Sequence, residues 1–391
     1  MGRKAKVKDG EESLIAEDEQ VGEEKESRTA QVMAGETVAN IKKKWGGNML
    51  IKASDERYQN TPRISSGIFA LDWALGGGWA AGRINTIYGP KSAAKTTTMN
   101  KTVAQAQKLC GNCMSPRDLE GRPNCTPACT GFREIVCAYI DVESTWDANW
   151  AKKNGVDLER LMFCKPEFAE QSLDILEALI RSADVDVIVL DSLAFLTPAK
   201  EIEESTAKET VGVQARLLGK GTRKFVAALA AIKNEHSRWP TIFFTNQIRM
   251  KVGVMFGNPE TQSGGLAPQF AATSEVKLWS GKYEMDEKTG RPIHADMNFR
   301  VEKNKSDVPK MEGSFRLMLT STETKQMGDI YEEDTMVDLA HKFGLVEGHG
   351  NSWTCLGEKY AGKSMVERRL LTDPPYKAMF RQTLMKILLA V

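Results

Sequence analysis

Gly89-Pro90-Lys91-Ser92-Ala93-Ala94-Lys95-Thr96-Thr97 separates a strand-like run, residues 83–88, from a helix-like one, residues 96–109. Strand, short loop and helix in that order are the setting of a phosphate-cradling loop, whose backbone N–H groups and helix dipole face phosphate oxygens. In such a loop Lys95 supplies a point charge to the β- and γ-phosphates of a nucleotide, and the Thr96 hydroxyl holds Mg2+. The pattern G-x-x-x-x-G-K-[ST] asks for glycine at position 94, where this chain has alanine. The degenerate motif does not by itself separate a nucleotide site from an ordinary loop, so the rest of the chain has to decide.

With 391 residues, 41% of them hydrophobic and 27% charged, the chain is of the soluble globular class and long enough for one large domain with appendages, or two to three domains. A net charge of +1 argues against bulk attraction to nucleic acid but allows a local basic groove, including one formed on assembly. No basic segment followed by an apolar run opens the chain, and no stretch approaches the ~18 apolar residues of a membrane span. A cytoplasmic protein with no membrane partner is expected. Four of the seven cysteines fall in one short window, which in a reducing compartment points to metal rather than disulfides.

Residues 1–30 mix acids and bases with few apolar anchors and read as a disordered tail. A helical pattern over 30–45 places Val32, Val38, Ile41 and Trp45 on one face; it either folds back on its own core or forms an arm, within 31–62, that docks on a neighbouring subunit. From residue 63 strand-like runs (83–88, 135–141, 185–191 and 241–247) alternate with helix-like ones (171–182 and 211–233). Val187-Ile188-Val189-Leu190 is continuously apolar and ends in Asp191, as expected of a strand buried on both faces. This alternation predicts an α/β core over 63–330, wound around a mostly parallel central sheet with ligands at the carboxyl ends of its strands. Two connections, 197–210 and 249–268, are unusually long and read as functional or mobile loops. Beyond 330 a helix (333–343), a hairpin (350–360) and two more helices (363–371 and 375–389) predict a small α+β domain over 331–391, ending on an apolar helix without an acidic tail.

Three further residues fit a nucleotide machine. Asp191, at the end of a buried strand, is where an NTPase places its Mg2+-positioning carboxylate; the alternative is a helix N-cap. Glu143, just past the 135–141 strand, could activate an attacking water, or be a solvated loop acid. Gln247, at another strand end, leads into the long glycine-bearing loop and could report a γ-phosphate to it.

Residues 140–147 (Ile-Asp-Val-Glu-Ser-Thr-Trp-Asp), 185–192 and 196–202 are similar to segments of the RecA recombinase family. Residues 246–261, Asn-Gln-Ile-Arg-Met-Lys-Val-Gly-Val-Met-Phe-Gly-Asn-Pro-Glu-Thr, followed by Gly264-Gly265, resemble that family's second DNA-binding loop almost throughout. The resemblance runs from about Ile41 to the last helix and implies a RecA-like NTPase core. It further implies an ATP-dependent helical filament on single-stranded DNA that pairs it with homologous duplex DNA and exchanges strands, with hydrolysis stimulated by DNA. By position it makes Glu143 the catalytic carboxylate and Gln247 the switch, and places Asp147 and Trp150 at the adenine. Lys303 and Lys305, otherwise a solvated basic turn, would reach the ATP of the adjacent subunit. Arg249, Met250, Lys251 and Val252 would grip and wedge DNA beside Gly264 and Gly265, while Val211, Gly212, Val213, Arg216 and Arg223 match the first DNA loop and its helix. Residues 41–51 match the subunit-docking region, which favours the arm reading. Recombination mediators or single-strand-binding proteins are the further partners implied.

One insertion interrupts the resemblance, within 110–131: Cys110-x2-Cys113-x11-Cys125-x3-Cys129. Two close cysteine pairs can wrap a structural, tetrahedral Zn2+ as thiolates and supply the folding energy of a knuckle too small for its own core; free thiols or a disulfide pair are the alternatives. This module, Ala94 and the missing acidic tail fit a divergent or phage-encoded member. The rival readings are a filament that binds single-stranded DNA and uses ATP weakly or only as a structural ligand, and a hexameric motor of the same fold.

Overall fold

The computed structural model describes residues 35–44, 61–117, 123–127, 129–203, 212–235, 240–250 and 260–390. The expected tail and most of the expected arm lie outside these residues. A helix spans 35–44, with only Val38 and Ile41, three residues apart, half-buried.

From residue 61 the chain builds around one large sheet. Its strands are β3 (Ile84–Gly89), β4 (Cys137–Asp141), β5 (Leu161–Cys164), β6 (Val187–Asp191), β7 (Thr241–Met250), β8 (Glu260–Gln262), β9 (Ser274–Met285), β10 (Pro292–Asn304), β11 (Glu312–Met318) and β12 (Ile330–Tyr331); a small ribbon of β1 (Arg63–Ile64) and β2 (Trp79–Ala80) precedes them. The order across the sheet is β12-β11-β10-β9-β3-β7-β6-β4-β5, with β8 paired to β7. The run from β9 to β5 is parallel throughout, and β10, β11 and β12 extend it antiparallel. The fold is thus α/β with a mostly parallel central sheet, as the alternation of apolar runs predicts.

The apolar run 187–190 lies inside the parallel part of this sheet, between β7 and β4, because it has a layer to bury on each side. Val187 and Val189 enter a core shared with the helix Lys95–Ala106 and with Met297 and Leu317 of the antiparallel strands. Ile188 and Leu190 point the other way, onto Leu173, Leu176 and Ile180 of the helix Ala169–Ser182 and Leu218 and Phe225 of the helix Val213–Glu235. Truncating one such side chain to alanine costs about 2–5 kcal/mol. A parallel strand needs both layers, and so carries no polar face.

The C-terminal elements close a third apolar cluster. The helices Glu333–Lys342, Lys363–Thr372 and Pro374–Leu389 pack with a three-stranded sheet of β13 (Val346–His349), β14 (Ser352–Cys355) and β15 (Glu358–Tyr360). The hairpin expected at 350–360 therefore has a third strand. The helix Phe69–Ala74 ties this cluster to the sheet: Phe69 enters it while Leu71 enters the core beneath the sheet. Its buried Asp72 accepts from Arg381 at 2.7 Å and from Ser66 at 2.6 Å.

Parts of the two long connections fall within the described residues. Residues 197–210 contain the short helix Ala199–Glu203, and within 249–268 the paired β7 and β8 form the stem of a hairpin.

Candidate functional site

β3 ends on Gly89, where an added Cβ would lie 2.0 Å from the Leu278 carbonyl oxygen of β9, so only glycine lets the chain turn off the sheet here. The loop then closes with Ser92 and Ala94 in left-handed conformation, at φ 58° and 57°. Ala94 is the residue immediately before the helix Lys95–Ala106. The departure noted in the sequence thus falls on a position whose backbone favours glycine, and an L-residue there costs about 1–2 kcal/mol.

Asp191 organises the floor. Its Oδ2 accepts from Thr96 at 2.8 Å and from the buried Tyr139 hydroxyl at 2.6 Å, and its Oδ1 accepts from Thr245. Burial, then the neighbouring Asp191 charge, holds the Tyr139 phenol well above its usual range, so it stays a donor. The Asp191 backbone carbonyl accepts from the N–H groups of Val142 and Glu143 at 2.7 and 3.2 Å, which fixes the start of the loop carrying Glu143. The N-cap alternative is not realised: no side-chain cap bond starts the turn that follows.

Burial, then the nearby Asp191 charge, raises the Glu143 carboxyl above the ordinary carboxylate range, while Lys95 and a hydrogen bond with Gln247 pull the other way. Gln247 reaches this position because the parallel β3–β7 register sets it opposite Gly89. Lys95 donates to the Gly89 and Pro90 carbonyls at 3.2 and 2.7 Å. Together these groups line a cavity of about 540 Å³ that includes Lys91, Ser92, Ala93, Ala94, Lys95, Thr96, Thr97, Glu143, Asp191 and Gln247. That volume lies within the range of small-molecule sites.

Trp150 lines the same cavity, its indole Nε1 donating to Thr97 at 3.1 Å. Asp147 does not line it; its carboxylate caps the helix Ala148–Lys153, accepting from the Trp150 N–H at 2.6 Å, and so orients Trp150. Sequence reasoning missed Tyr283, Met297, Leu317 and Leu319, which supply the apolar wall from β9, β10, β11 and the residue just past β11. Tyr139 and Thr245, which hold Asp191, were also missed. Lys303 and Lys305 do not line the cavity. They donate to the carbonyls of Gln269 and Phe270 at the end of the helix Ala267–Ala271.

Of the expected DNA residues, Val211, Lys251 and Val252 lie outside the described residues. Arg249 and Met250 end β7, paired with Thr261 and Glu260 of β8, and Met250 is 64% exposed. Gly264 and Gly265 turn just beyond this stem with φ of 85° and 79°, and a Cβ on Gly264 would lie 2.4 Å from Leu218. They bring the stem against the helix Val213–Glu235, on which Arg216 and Arg223 are exposed. A backbone link runs from the site to this region: Ser263 N–H donates to the Gln247 carbonyl at 3.3 Å, and the Asn246 side chain donates to the Ser263 carbonyl at 3.0 Å.

The sulfurs of Cys110, Cys113, Cys125 and Cys129 all lie within 4.8 Å of one another, with Cys110 and Cys129 at 3.9 Å. A zinc–thiolate tetrahedron with bonds of ~2.3 Å has edges of about 3.8 Å, so the donor set fits the ion. Against burial, hydrogen bonds from Ser115 and the Thr126 backbone bring the Cys113 thiol down to about 6. The knuckle continues from the phosphate-loop helix and is anchored by Arg133, which bonds Gly111 and pairs with Asp186 beside the start of β6 at 2.6 Å. Cys137 and Cys355 are buried and Cys164 half-buried, all apart from this cluster.

A phosphate-type loop at the end of a parallel strand, with a buried acid at a nearby strand end, defines the class of α/β phosphate-loop proteins. The model of the RecA N-terminal domain family matches residues 33–118 and 128–323, and the break between them falls within the cysteine insertion. Protein RecA of Campylobacter fetus subsp. fetus is 35% identical over 335 residues, 85% of this chain and 88% of that protein. Protein RecA of Leptospira biflexa is 33% identical over 354 residues, 90% and 81%. Protein RecA of Wolinella succinogenes is 35% identical over 330 residues, 83% and 82%. The chain belongs to the RecA family. Among the described residues no helix is long and apolar enough to cross a membrane.

Proposed function

We propose that this chain is an ATP-dependent homologous recombinase of the cytoplasm. It forms a helical filament on single-stranded DNA, pairs that strand with homologous duplex, and exchanges strands with DNA-stimulated ATP hydrolysis. The observation that carries the reading is the position of Gln247. Its side chain meets Glu143 in the cavity, while its backbone is bonded to Ser263, beyond the hairpin stem that presents Arg249 and Met250.

In this reading the loop N–H groups and Lys95 hold the ATP phosphates, and Trp150 faces the base. Thr96 and Asp191 would hold Mg2+, which when bound screens the phosphate charge. Glu143 takes a proton from the attacking water, and its raised pKa makes it a stronger base than an ordinary glutamate. Gln247 contacts the γ-phosphate and passes its presence through Ser263 to the hairpin. Lys303 and Lys305, which donate to backbone carbonyls among the described residues, would complete the site of an adjacent subunit. Arg216, Arg223, Arg249 and Lys251 hold phosphates while Met250 and Val252 enter between bases, so binding would be salt-sensitive and largely independent of sequence. The four cysteines would hold a structural Zn2+. Recombination mediators or single-strand-binding proteins would be the accessory partners.

Ala94 favours a second reading, a filament that binds ATP but hydrolyses it weakly, because its Cβ stands where phosphate must approach closely. Steady-state ATP turnover with and without single-stranded DNA decides between them. Stimulation by DNA is expected; nucleotide binding without stimulated turnover would favour the second reading.

A further inference from the structure

A second cavity, of about 320 Å³, opens on another part of the phosphate-loop helix, between it and the segment leading into the C-terminal elements. Lys101 and Lys108 reach it from that helix and just beyond, and Lys153 and Asn154 from the end of the helix that carries Trp150. Lys325, Asp329 and Lys377 close it from the C-terminal side.

The charges here do not balance. Lys325 is bonded to Glu333 at 2.7 Å, and Lys377 to Glu333 at 2.6 Å and Glu332 at 3.3 Å, so those two lysines are compensated. Among the described residues the ion pair of Lys101 is with Asp329, at 4.0 Å, beyond hydrogen-bond reach. Lys153 donates only to the Met327 sulfur at 3.6 Å, and Lys108 has no ion pair among the described residues. Glu332 also lines the cavity but is paired with Lys377 and Arg381, so three ammonium groups are left to Asp329, an excess of two positive charges. Lys101 is 9% exposed, and burial lowers its pKa to about 8, with Lys108 among the repelling neighbours. A buried charge is retained at such a cost when something pairs with it.

Asn154, 2% exposed, ties this wall to the nucleotide side: its amide nitrogen donates to the Trp150 carbonyl at 2.8 Å. A ligand that completes this cavity brings at least two negative charges, spread over several oxygens, for the lysines. Phosphate anions carry both, and lysine is a common phosphate ligand.

We propose that this cavity binds a small inorganic phosphate anion of pyrophosphate size, through Lys101, Lys108 and Lys153. The site is separate from the nucleotide cavity yet shares its two helices: Lys101 follows Lys95 by six residues, and Asn154 is bonded to Trp150. Occupancy here would be sensed by the elements that hold the nucleotide.

The test uses pyrophosphate and the full chain carrying Lys95→Ala, which disables the phosphate loop. Calorimetric titration should still show about one equivalent bound. Adding Lys101→Gln should weaken binding about tenfold or more, as loss of a charged hydrogen bond from a buried group does. Lys153→Gln, at an exposed position, should weaken it several-fold and keeps the test intact if the Lys101 variant unfolds. Absence of binding by the Lys95→Ala chain, or binding unchanged by both glutamine substitutions, would overturn the assignment. So would stoichiometric displacement of pyrophosphate by a short oligonucleotide, which would mean that the lysines serve a nucleic-acid backbone.

Discussion

Thr96 donates its hydroxyl to Asp191 at 2.8 Å across 95 residues of sequence, joining the first turn of the helix Lys95–Ala106 to the end of β6. Tyr139 and Thr245 donate to the same carboxylate. Asp191→Asn keeps the volume but replaces one acceptor with a donor. It should leave the chain folded and reduce ATP turnover by about 100-fold or more, as loss of a metal-positioning carboxylate does. Asp191→Ala strands three hydroxyls and should cost about 3 kcal/mol or more in urea unfolding, at about 1–3 kcal/mol per buried unpaired group. Turnover unchanged in the asparagine variant would remove Asp191 from the metal site.

Ala94 at φ 57° sets up a second test. Ala94→Gly removes a left-handed penalty of about 1–2 kcal/mol, offset by about 0.5–1 kcal/mol of glycine chain entropy. A small rise in thermal stability and tighter nucleotide binding are expected, followed by equilibrium titration and melting. Ala94→Val should do the reverse, because a β-branched residue tolerates this conformation worst. Equal nucleotide affinity in all three chains would show that the loop does not close on phosphate here.

Glu143, raised by burial and then by the Asp191 charge, fixes a pH dependence. A general base must be ionised, so turnover should fall as pH drops through this raised pKa, at higher pH than for an ordinary glutamate. Stability runs the other way. In the window between the unfolded and folded pKa values the native state holds the extra proton, so this residue's contribution declines as pH rises. Glu143→Gln should abolish the acidic limb of the rate profile together with most of the activity, while reducing the fall of stability with pH. A rate profile with an unshifted acidic limb would argue against Glu143 as the base.

The four sulfurs within 4.8 Å predict about one zinc per chain by elemental analysis. Cys125→Ser should lose the metal and, because the knuckle has no core of its own, destabilise it. Arg133 and Asp186 carry that loss toward the start of β6, so the melting temperature of the whole chain should fall, by several degrees for a metal site worth a few kcal/mol. A chain purified under reducing conditions with no zinc and an unchanged melt for Cys125→Ser would exclude the metal.

Legibility in the sequence followed burial geometry. Strands β4, β6 and β7 are covered by helices on both faces, so they read as unbroken apolar runs. Strands β9 to β12 escaped notice because they are half-covered: β10 buries Ala295, Met297, Phe299 and Val301 in alternation, with Asp296, Asn298 and Arg300 between them. That period of two was present and is the signal that could have found them. Their loss from the reading also hid the apolar wall of the cavity at the 89–97 loop.

The sequence alone determined the loop at 89–97, the acid ending the central strand, the cysteine quartet and the likeness to the RecA family, because each is a matter of residue type at short spacing. Tertiary structure decided what those residues touch. That Asp191 gathers Thr96, Tyr139 and Thr245, that Asp147 caps a helix and positions Trp150, and that Lys101, Lys153 and Asn154 meet in one underneutralised cavity depend on parallel register and layer packing. Charge balance and hydrogen-bond satisfaction are summed over neighbours in space, and those neighbours lie tens to hundreds of residues apart in the chain.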